Sequence, residues 1–408
     1  MKPRILFIAP LPPPVHGSAM VSQYIKDSKL VNEQFDCDFV NLSTSRRMDE
    51  IGKGGAKKLL RFVGSYFALF WKLLTRRYDL CYLAITCHGM GFLKDAPFVL
   101  LCKLFGRRVL IHQHNKGMSG CVDRWPYRWL MPLVYRNTTV MLLSWHLYPD
   151  IEKVVRREQV VICPNGIPDV SDEMRAMSGE QRALSSEQGA MSDELRALGS
   201  ELRAMSNENE NCYLESVPEK AAAPRLLFLS NLIESKGVYV LLDACKVLKE
   251  RGLSFVCDFV GGETKEISAE VFREAVATRG LEDYVTYHGP QYGEDKHRFF
   301  MNADVFVFPT YYYNECFPLV LLEAMQWRLP LVSSDEGGIP DIIQHGVNGF
   351  VAERKDVTAL ANALEQLITN PTLRRQMGEA GYARYKELYT LEAFEKCFVA
   401  QLATESRC

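Results

Sequence analysis

Residues 311–326, YYYNECFPLVLLEAMQ, join a strand-like run to a segment of helical composition. The strand-like run is ADVFVF at 303–308, and Pro309 closes it. The helical segment runs from 319 to 327, and Pro318 suits its first turn because a missing N–H is not needed there. The stretch therefore predicts a helix that begins beyond the carboxyl end of a strand, where ligands bind in open α/β sheets.

Two glutamates belong to this predicted junction. Glu315 stands just before the helix, and Glu323 follows with seven residues between them. A carboxylate near Phe317, Leu319 and Leu321 is costly to remove from water unless another group donates hydrogen bonds to it. Ligands rich in hydroxyl groups do this well.

The ordered motifs of the second half resemble those of retaining glycosyltransferases with the GT-B fold, family 4 (glycosyl transferases group 1). Glu315 and Glu323 match the E-x7-E motif of that family. Two glutamates at this spacing are common on helices, so the specific signal is the ordered set of further matches: AD at 303–304, EAM at 323–325, GGIPD at 337–341 and GVNGF at 346–350. The resemblance implies two doubly wound, Rossmann-like α/β domains that face a cleft.

Bulk composition limits the class of protein. A chain of 408 residues is long enough for two or three domains, and a net charge of −2 carries no signature of nucleic-acid binding. The 12 cysteines contain no C-x-x-C pair, which favours reduced thiols in the cytoplasm.

Residues 5–9 are too short a run for a secretory signal. No apolar stretch approaches ~20 residues, so we expect any membrane contact to be peripheral, at the inner face of the membrane.

Four segments are predicted from these patterns and the resemblance. Residues 1–168 form an N-terminal, acceptor-side domain, and residues 223–387 form a C-terminal domain that binds the nucleotide-sugar. A final helix within 388–408 packs back on the first domain. The linker, 169–222, contains a heptad repeat at 171–205 that predicts a marginal helix, which self-associates, lies against the protein or is partly disordered alone.

The first domain opens with a run typical of a buried parallel strand, RILFIA at 4–9, followed by a loop and a helix at 20–28. Taken alone, this loop is a connecting turn or an approach to the helix N-terminus. The resemblance assigns Gly17 and Ser18 to the donor phosphate and acceptor, and His114 to the donor sugar, whereas His112 is expected to pack in a strand. The loop is neither a dinucleotide fingerprint nor a Walker loop.

Lys236 precedes a predicted helix at 238–250, where it can pair with a diphosphate whose oxygens also accept backbone N–H bonds. The family has an arginine where this chain has Asn231, so one expected cation is missing. Pro318 replaces a family glycine and removes another donor. The resemblance implies further donor-binding positions, with His288 near the base and Glu323 at the ribose: Asn231, Gly262, His288, Phe317, Leu319, Val320 and Glu323.

The implied reaction moves a sugar from a nucleotide-sugar, with UDP or GDP expected, to a hydroxyl of a saccharide or lipid-linked acceptor. Glu315, Lys236 and His114 are the expected catalytic residues of this retaining hexosyltransferase, and bacterial surface polysaccharide or lipopolysaccharide synthesis is the expected setting. We expect no cofactor and no metal, because the one D-x-D motif, Asp36-Cys37-Asp38, is predicted to face solvent. An epimerase, a phosphorylase or a catalytically silent scaffold are alternatives.

Residues 53–77 interleave lysine and arginine with leucine, phenylalanine and tryptophan. One interpretation is a crossover helix that packs on the sheet with solvated basic residues. The other is a helix whose outer face meets anionic lipid headgroups, and both can hold at once.

Overall fold

Two parallel β-sheets, each of six strands, form the framework of the protein. The computed structural model describes residues 2–13, 17–43, 56–171 and 223–407. The first sheet has the strand order β2-β1-β3-β4-β5-β6. Its strands are β1 (Arg4–Ala9), β2 (Asp36–Asn41), β3 (Leu80–Ile85), β4 (Val109–Gln113), β5 (Thr139–Leu142) and β6 (Val160–Ile162).

Five helices connect these strands: α1 (Gly17–Asp27), α2 (Lys29–Gln34), α3 (Ala56–Thr75), α4 (Gly89–Leu104) and α5 (Tyr127–Tyr135). Parallel strands are joined by right-handed crossovers. The chain moves one way along the sheet from β1 to β2 and the opposite way from β2 to β5. Helices α1 and α2 therefore cover one face, and α3, α4 and α5 form a layer on the other.

The second sheet has the order β12-β11-β10-β7-β8-β9. Its strands are β7 (Arg225–Leu229), β8 (Val256–Val260), β9 (Val285–Tyr287), β10 (Val305–Phe308), β11 (Leu331–Ser334) and β12 (Gly349–Ala352). The helices of this half are α6 (Val238–Glu250), α7 (Ala269–Ala277), α8 (Gly293–Asn302), α9 (Leu319–Gln326), α10 (Ile339–Ile342), α11 (Val357–Thr369), α12 (Pro371–Leu388) and α13 (Leu391–Arg407). Because the strands are parallel, their carboxyl ends share one edge, from which the predicted ligand loops leave.

The two sheets confirm the predicted pair of doubly wound α/β lobes. Helix α6 and strand β1 have the bounds that the sequence predicts. The predicted heptad helix at 171–205 lies outside the described residues apart from Ser171. None of the described helices is both long and apolar enough to cross a membrane.

Helix α13, at the end of the chain, packs on the first sheet. The ring of Phe398 lies 5.3 Å from that of Tyr82 and 6.5 Å from that of Phe7. The chain passes between the lobes at two neighbouring points, where the N–H of Ile167 donates to the carbonyl of Tyr389 at 3.0 Å. The last helix therefore helps to bury the core of the first lobe, although it follows the second lobe in sequence.

The prediction that the D-x-D motif faces solvent is wrong for Asp38. Its carboxylate accepts hydrogen bonds from Lys72 at 2.6 Å, Arg76 at 3.0 Å and Tyr78 at 2.8 Å. Burial alone would raise the pKa of Asp38, but the hydrogen bonds from Lys72 and Tyr78 hold this pKa below its ordinary value. Alternation along β2 puts Asp36 and Asp38 on the same face. Asp38 is covered and Asp36 is exposed because α3, which carries Lys72, lies over Asp38 and not over Asp36.

We expect Asp38→Ala to lower the free energy of unfolding by about 2 kcal/mol, because three donors lose a charged acceptor. Asp36→Ala is the matched control. It removes one exposed pair with Arg4 and should cost at most about 1 kcal/mol. Urea unfolding of the two variants measures the difference, and equal losses would mean that Asp38 does not hold α3 on the sheet.

Candidate active site

An ion pair lies at the carboxyl edge of the second sheet, in the loop between β10 and α9. Oε2 of Glu315 is 2.6 Å from Nζ of Lys236, and Glu315 is only 9% exposed. The ammonium also lies 4.5 Å from the ring centroid of Tyr312 and 5.5 Å from that of Phe308. Aromatic faces attract a cation and exclude water, which strengthens the electrostatic interaction. The structure therefore brings together two of the predicted catalytic side chains.

Gly237 sets the position of Lys236. A single 3-10 turn, Glu234–Lys236, leads to Gly237, whose φ of +89° starts α6. A Cβ at this position would overlap the carbonyl oxygen of Pro309, at the end of β10. The absence of a side chain lets the loop after β7 press against the loop after β10, and this close approach brings Lys236 to Glu315.

The loop after β11 supports Glu315 from the backbone side. Gly337 has a φ of +57°, and a Cβ there would overlap the carbonyl oxygen of Glu315. The N–H of Gly338 donates to the carbonyl of Cys316 at 2.6 Å. Burial, followed by the Glu315 carboxylate, raises the pKa of Cys316, so its thiol remains neutral beside the ion pair. The glycine pair therefore fixes the backbone that carries the carboxylate.

The N-termini of two helices from different lobes meet beside this loop. Helix α9 begins at Leu319 after Pro318, and a Cβ on Gly17, the first residue of α1, would stand 4.0 Å from Cδ1 of Leu319. Ser18 and Val320 follow in the first turns of these helices. The first amides of a helix lack carbonyl partners within the helix and carry partial positive charge. The facing helix starts can therefore bind an anionic group.

Glu323 lies further along α9, where Oε1 is 2.9 Å from Nζ of Lys296 on α8. Burial raises the pKa of Tyr24 on α1, and the Glu323 carboxylate raises it further. Glu323 therefore lies close to the first lobe while it is paired within the second. The sequence analysis missed Lys296, because a lysine on a polar helix is not distinctive in the sequence.

Asn231, which stands in place of the family arginine, joins two strand ends. Its Oδ1 accepts a hydrogen bond from the N–H of Gly262 at 3.2 Å, and the carbonyl of Gly262 accepts from the N–H of Leu232 at 2.8 Å. These bonds connect the loop after β7 to the turn after β8. Asn231 is therefore a loop-stabilising residue here.

His288 follows β9, at the edge of the second sheet. Its Nε2 is 2.7 Å from Oδ1 of Asp258, and its ring centroid lies 4.7 Å from that of Phe299. Asp258 is buried and also accepts a bond from Arg225 at 2.6 Å. The ring of His288 is thus held in place by the carboxylate of Asp258. His288 follows β9, which lies two strands away from β7 in the sheet, and β7 is the strand that precedes Lys236.

The two histidines at the end of β4 have different environments. His112 is fully buried, and its Nδ1 lies 2.8 Å from the hydroxyl of Tyr82, which confirms the prediction that His112 packs in the strand. Burial, followed by the effect of His114, lowers the pKa of His112, so its imidazole is neutral. The ring of His114 lies 4.0 Å from that of His112, at the carboxyl edge of the first sheet. The residue is partly exposed, but both of its ring nitrogens are buried.

The sequence analysis gave no role to Lys116, which joins the two lobes. Lys116 pairs with Glu336 of the second lobe, and its ammonium lies 5.2 Å from the ring centroid of Tyr313. Glu336 is 2% exposed and also binds Nη1 of Arg354 at 3.1 Å. Arg354 also pairs with Asp335 at 3.1 Å, so the four side chains together carry no net charge. They lie next to the loop of Glu315, because Glu336 directly precedes Gly337.

Two further polar contacts cross between the lobes. The hydroxyls of Ser119 and Tyr313 lie 3.0 Å apart. Asp341 binds Ser144 and lies 3.1 Å from Nδ1 of His146. Within the described ranges, no group of three or more histidine, cysteine, aspartate or glutamate side chains could hold a metal ion. The chemistry available in these parts of the chain is that of a paired lysine and carboxylate, backbone amides and hydroxyls.

Comparison with known proteins relates the second lobe to a protein family. Residues 214–384 match the family model "Glycosyl transferases group 1". The amylovoran biosynthesis glycosyltransferase AmsK of Erwinia amylovora is 36% identical over 160 residues, which are 38% of this chain and 37% of that protein. The O-antigen chain mannosyltransferase C of Escherichia coli is 32% identical over 185 residues, 44% of this chain and 47% of the relative. Both matches therefore span less than half of each relative.

Solved structures extend the likeness to the complete fold. The Anabaena protein HepE, solved in complex with UDP, superposes with a TM-score of 0.68 at 16% identity, over 99% of this chain and 100% of that chain. At this identity the likeness concerns the fold. Residues 214–384 therefore match the glycosyl transferases group 1 family, and the chain as a whole has the GT-B fold.

We expect Gly337→Ala to lower the turnover of the enzyme by about a hundredfold. The new Cβ must displace the Glu315 backbone, and shifts of about 1 Å in a reacting site have effects of this size. Gly346→Ala is the control, because its φ is also positive, at +80°, yet a Cβ there meets no atom within 4 Å. It should lose about 1 kcal/mol of stability through backbone strain and keep its turnover. Equal turnover in both variants would contradict the support of Glu315 by Gly337.

Proposed function

We propose that this protein is a retaining glycosyltransferase that moves a sugar from a UDP- or GDP-sugar to a hydroxyl of a saccharide or lipid-linked acceptor. The observation that carries the proposal is the pairing of Glu315 with Lys236 beside the facing N-termini of α1 and α9. A nucleotide-sugar combines a diphosphate, which needs cations and N–H donors, with a sugar, which needs hydrogen-bond acceptors. Lys236 and the helix N-termini, which can bind the diphosphate, lie beside Glu315, whose carboxylate can accept hydrogen bonds from the sugar.

The positive groups suit the leaving diphosphate. Lys236 supplies a full charge, and each helix N-terminus contributes roughly half a charge. Asn231 is neutral, and Lys116 next to this loop is paired with Glu336, so Lys236 and the two helix N-termini are the positive groups assigned to the diphosphate. Positive groups that are already in place stabilise charge as it develops on the leaving phosphate.

Glu315 is suited to hold the sugar. A carboxylate accepts hydrogen bonds from neighbouring hydroxyls, and its fixed backbone sets the direction in which the anomeric carbon points. When the diphosphate binds Lys236, the ammonium is shared between phosphate and carboxylate, which couples the sugar and phosphate ends of the donor. The leaving phosphate can take the proton of the acceptor hydroxyl, so that attack from the same face retains the configuration without a protein nucleophile.

The remaining expected contacts follow the same division. Leu319 and Val320 offer backbone amides at the start of α9, Phe317 supplies an apolar wall, and Gly17 with Ser18 faces them from α1. Glu323, which is already paired with Lys296, is assigned to the ribose, while Gly262 and His288 are assigned to the nucleotide end of the donor. His114, at the carboxyl edge of the first sheet, is assigned to the donor sugar.

We place the enzyme in the synthesis of a bacterial surface polysaccharide, at the cytoplasmic face of the membrane. Support comes from AmsK and the O-antigen mannosyltransferase, whose names state amylovoran and O-antigen synthesis. Helix α3 adds support for contact with a lipid surface, because Leu60, Phe67 and Trp71 are each more than 60% exposed. A lipid-linked acceptor would reach the protein at such a surface.

We expect Glu315→Gln and Lys236→Met each to lower transfer at least a hundredfold, because each removes one half of the pair that holds donor sugar and phosphate. Each single variant also leaves its partner as an unpaired, largely buried charge, which costs about 3 kcal/mol of stability. The double variant should regain most of that stability and still fail to transfer. Transfer near the normal rate in either single variant, with sugar release assayed in parallel, would refute the assignment.

The donor is identified by melting the protein in the presence of UDP-, GDP- and ADP-sugars. A ligand that binds only the folded state at 100 times its Kd adds about 2.7 kcal/mol of stability, and we expect this shift with a UDP- or GDP-sugar. Lys236→Met is the control and should lose the shift. Product assays with the same donor decide the reaction: turnover only with inorganic phosphate would indicate a phosphorylase, an altered sugar without transfer an epimerase, and binding without turnover a scaffold.

A further inference from the structure

The outer surface of the α3–α4–α5 layer exposes large apolar side chains on all three helices. Nine of them are more than half exposed: Leu59, Leu60, Phe67, Trp71, Leu74, Met90, Leu104, Trp129 and Leu133. Scattered single apolar residues are normal on a protein surface, but a concentration on one face marks a contact site. The inner side of the layer is buried in the ordinary way, with Leu69 and Leu73 of α3 at 0% and 2% exposure.

Contacts between the helices make this surface continuous. The ring of Phe70 on α3 packs edge-on against Phe105, at the end of α4, with centroids 5.8 Å apart. Nζ of Lys103 on α4 binds the carbonyls of Leu133 and Arg136, at the end of α5, at 3.0 and 2.6 Å. The exposed residues near the ends of the three helices are therefore neighbours rather than separate spots.

Tryptophan is concentrated on this surface. Of the 5 tryptophans in the chain, Trp71, Trp125 and Trp129 are 65%, 82% and 65% exposed and belong to this layer. Trp129 and Leu133 are four residues apart on one face of α5, and Trp125 is exposed two residues before that helix; these three residues are called the tryptophan stripe. Large aromatic side chains with a polar N–H prefer the boundary between water and lipid.

The charge of the layer is mainly positive. The sequences of α3, α4 and α5 contain a single carboxylate, Asp95, which is 3% exposed and accepts a hydrogen bond from the N–H of Thr86 at 2.9 Å. Arg124, Arg128 and Arg136 are exposed around the tryptophan stripe, and the guanidinium of Arg128 lies 5.2 Å from the ring centroid of Trp129. Asp123, an exposed carboxylate just before the stripe, is paired with Lys153 at 2.6 Å. The whole chain carries a net charge of only −2, so basic charge is segregated to this face.

We infer that the α3–α4–α5 layer docks on an anionic lipid bilayer, and that the stripe of Trp125, Trp129 and Leu133 is a second anchor beside α3. The inference extends the membrane contact that the proposed function gives to α3, and it does not depend on the transfer chemistry. Exposed tryptophan and leucine among arginines match the headgroup boundary of an anionic membrane. A second copy of the chain fits this surface less well, because two faces of the same positive charge repel each other.

The test uses the full chain and vesicles of phosphatidylcholine with and without phosphatidylglycerol. We expect the protein to co-sediment at least tenfold better with the anionic vesicles, and Trp125→Ser/Trp129→Ser to weaken this binding at least tenfold. Tyr292→Ser is the control, because this aromatic side chain is 79% exposed on the second lobe, and it should bind as the unaltered protein does. Brominated lipid should quench the tryptophan fluorescence of the unaltered protein, since three exposed indoles would enter the boundary region.

A companion variant, Lys58→Gln/Arg61→Gln, separates the two anchors. If it weakens binding while the tryptophan variant binds normally, the contact is confined to α3 and the second anchor is refuted, although the proposed function keeps its membrane contact. If neither variant changes vesicle binding, or the unaltered protein does not bind anionic vesicles, both membrane assignments fail. The transferase chemistry is tested separately, by the donor assays. A dimer in solution that the tryptophan variant abolishes would show that a second copy covers the face and would also overturn the inference.

Discussion

The pairing of Glu315 with Lys236 is the interaction on which the candidate site depends. Both side chains are largely removed from water, so each needs the other as long as no ligand is present. The pair forms only because two glycines allow three loops to approach closely. Gly237 has no side chain and leaves room for the carbonyl of Pro309, and Gly337 leaves room for the carbonyl of Glu315. A binding site whose charges are balanced and whose backbone is fixed before the donor arrives has little reorganisation left to perform.

The second feature is the way in which charge is divided over the molecule. At the carboxyl edge, positive and negative groups alternate: Lys236 with Glu315, Lys296 with Glu323, and Lys116 with Glu336. The three helices of the α3–α4–α5 layer contain one carboxylate, Asp95, which is buried, so positive charge predominates on their outer face. Mixed charge suits a ligand that presents an anionic phosphate beside neutral sugar hydroxyls, whereas mainly positive charge suits an extended anionic surface.

Much of the fold could be predicted from the sequence, and the errors have physical causes. A continuous apolar run located β1, and a helical pattern located α6, because each depends on near neighbours along the chain. Asp38 was misplaced because alternation along a strand gives a face but does not say what covers it. Lys116 and Lys296 were given no role because a lysine is ordinary in sequence and gains meaning only from its partner.

The sequence by itself determined the two-lobed α/β class and the spacing of Glu315 and Glu323, since local periodicity and short motifs survive without knowledge of distant contacts. Only the tertiary structure decided which groups meet. Lys116 and Glu336 are 220 residues apart in the chain and form a salt bridge in the structure. Likewise, only the folded layer shows which tryptophans stay exposed. Burial and pairing depend on elements that lie far away in sequence, and local patterns carry no record of them.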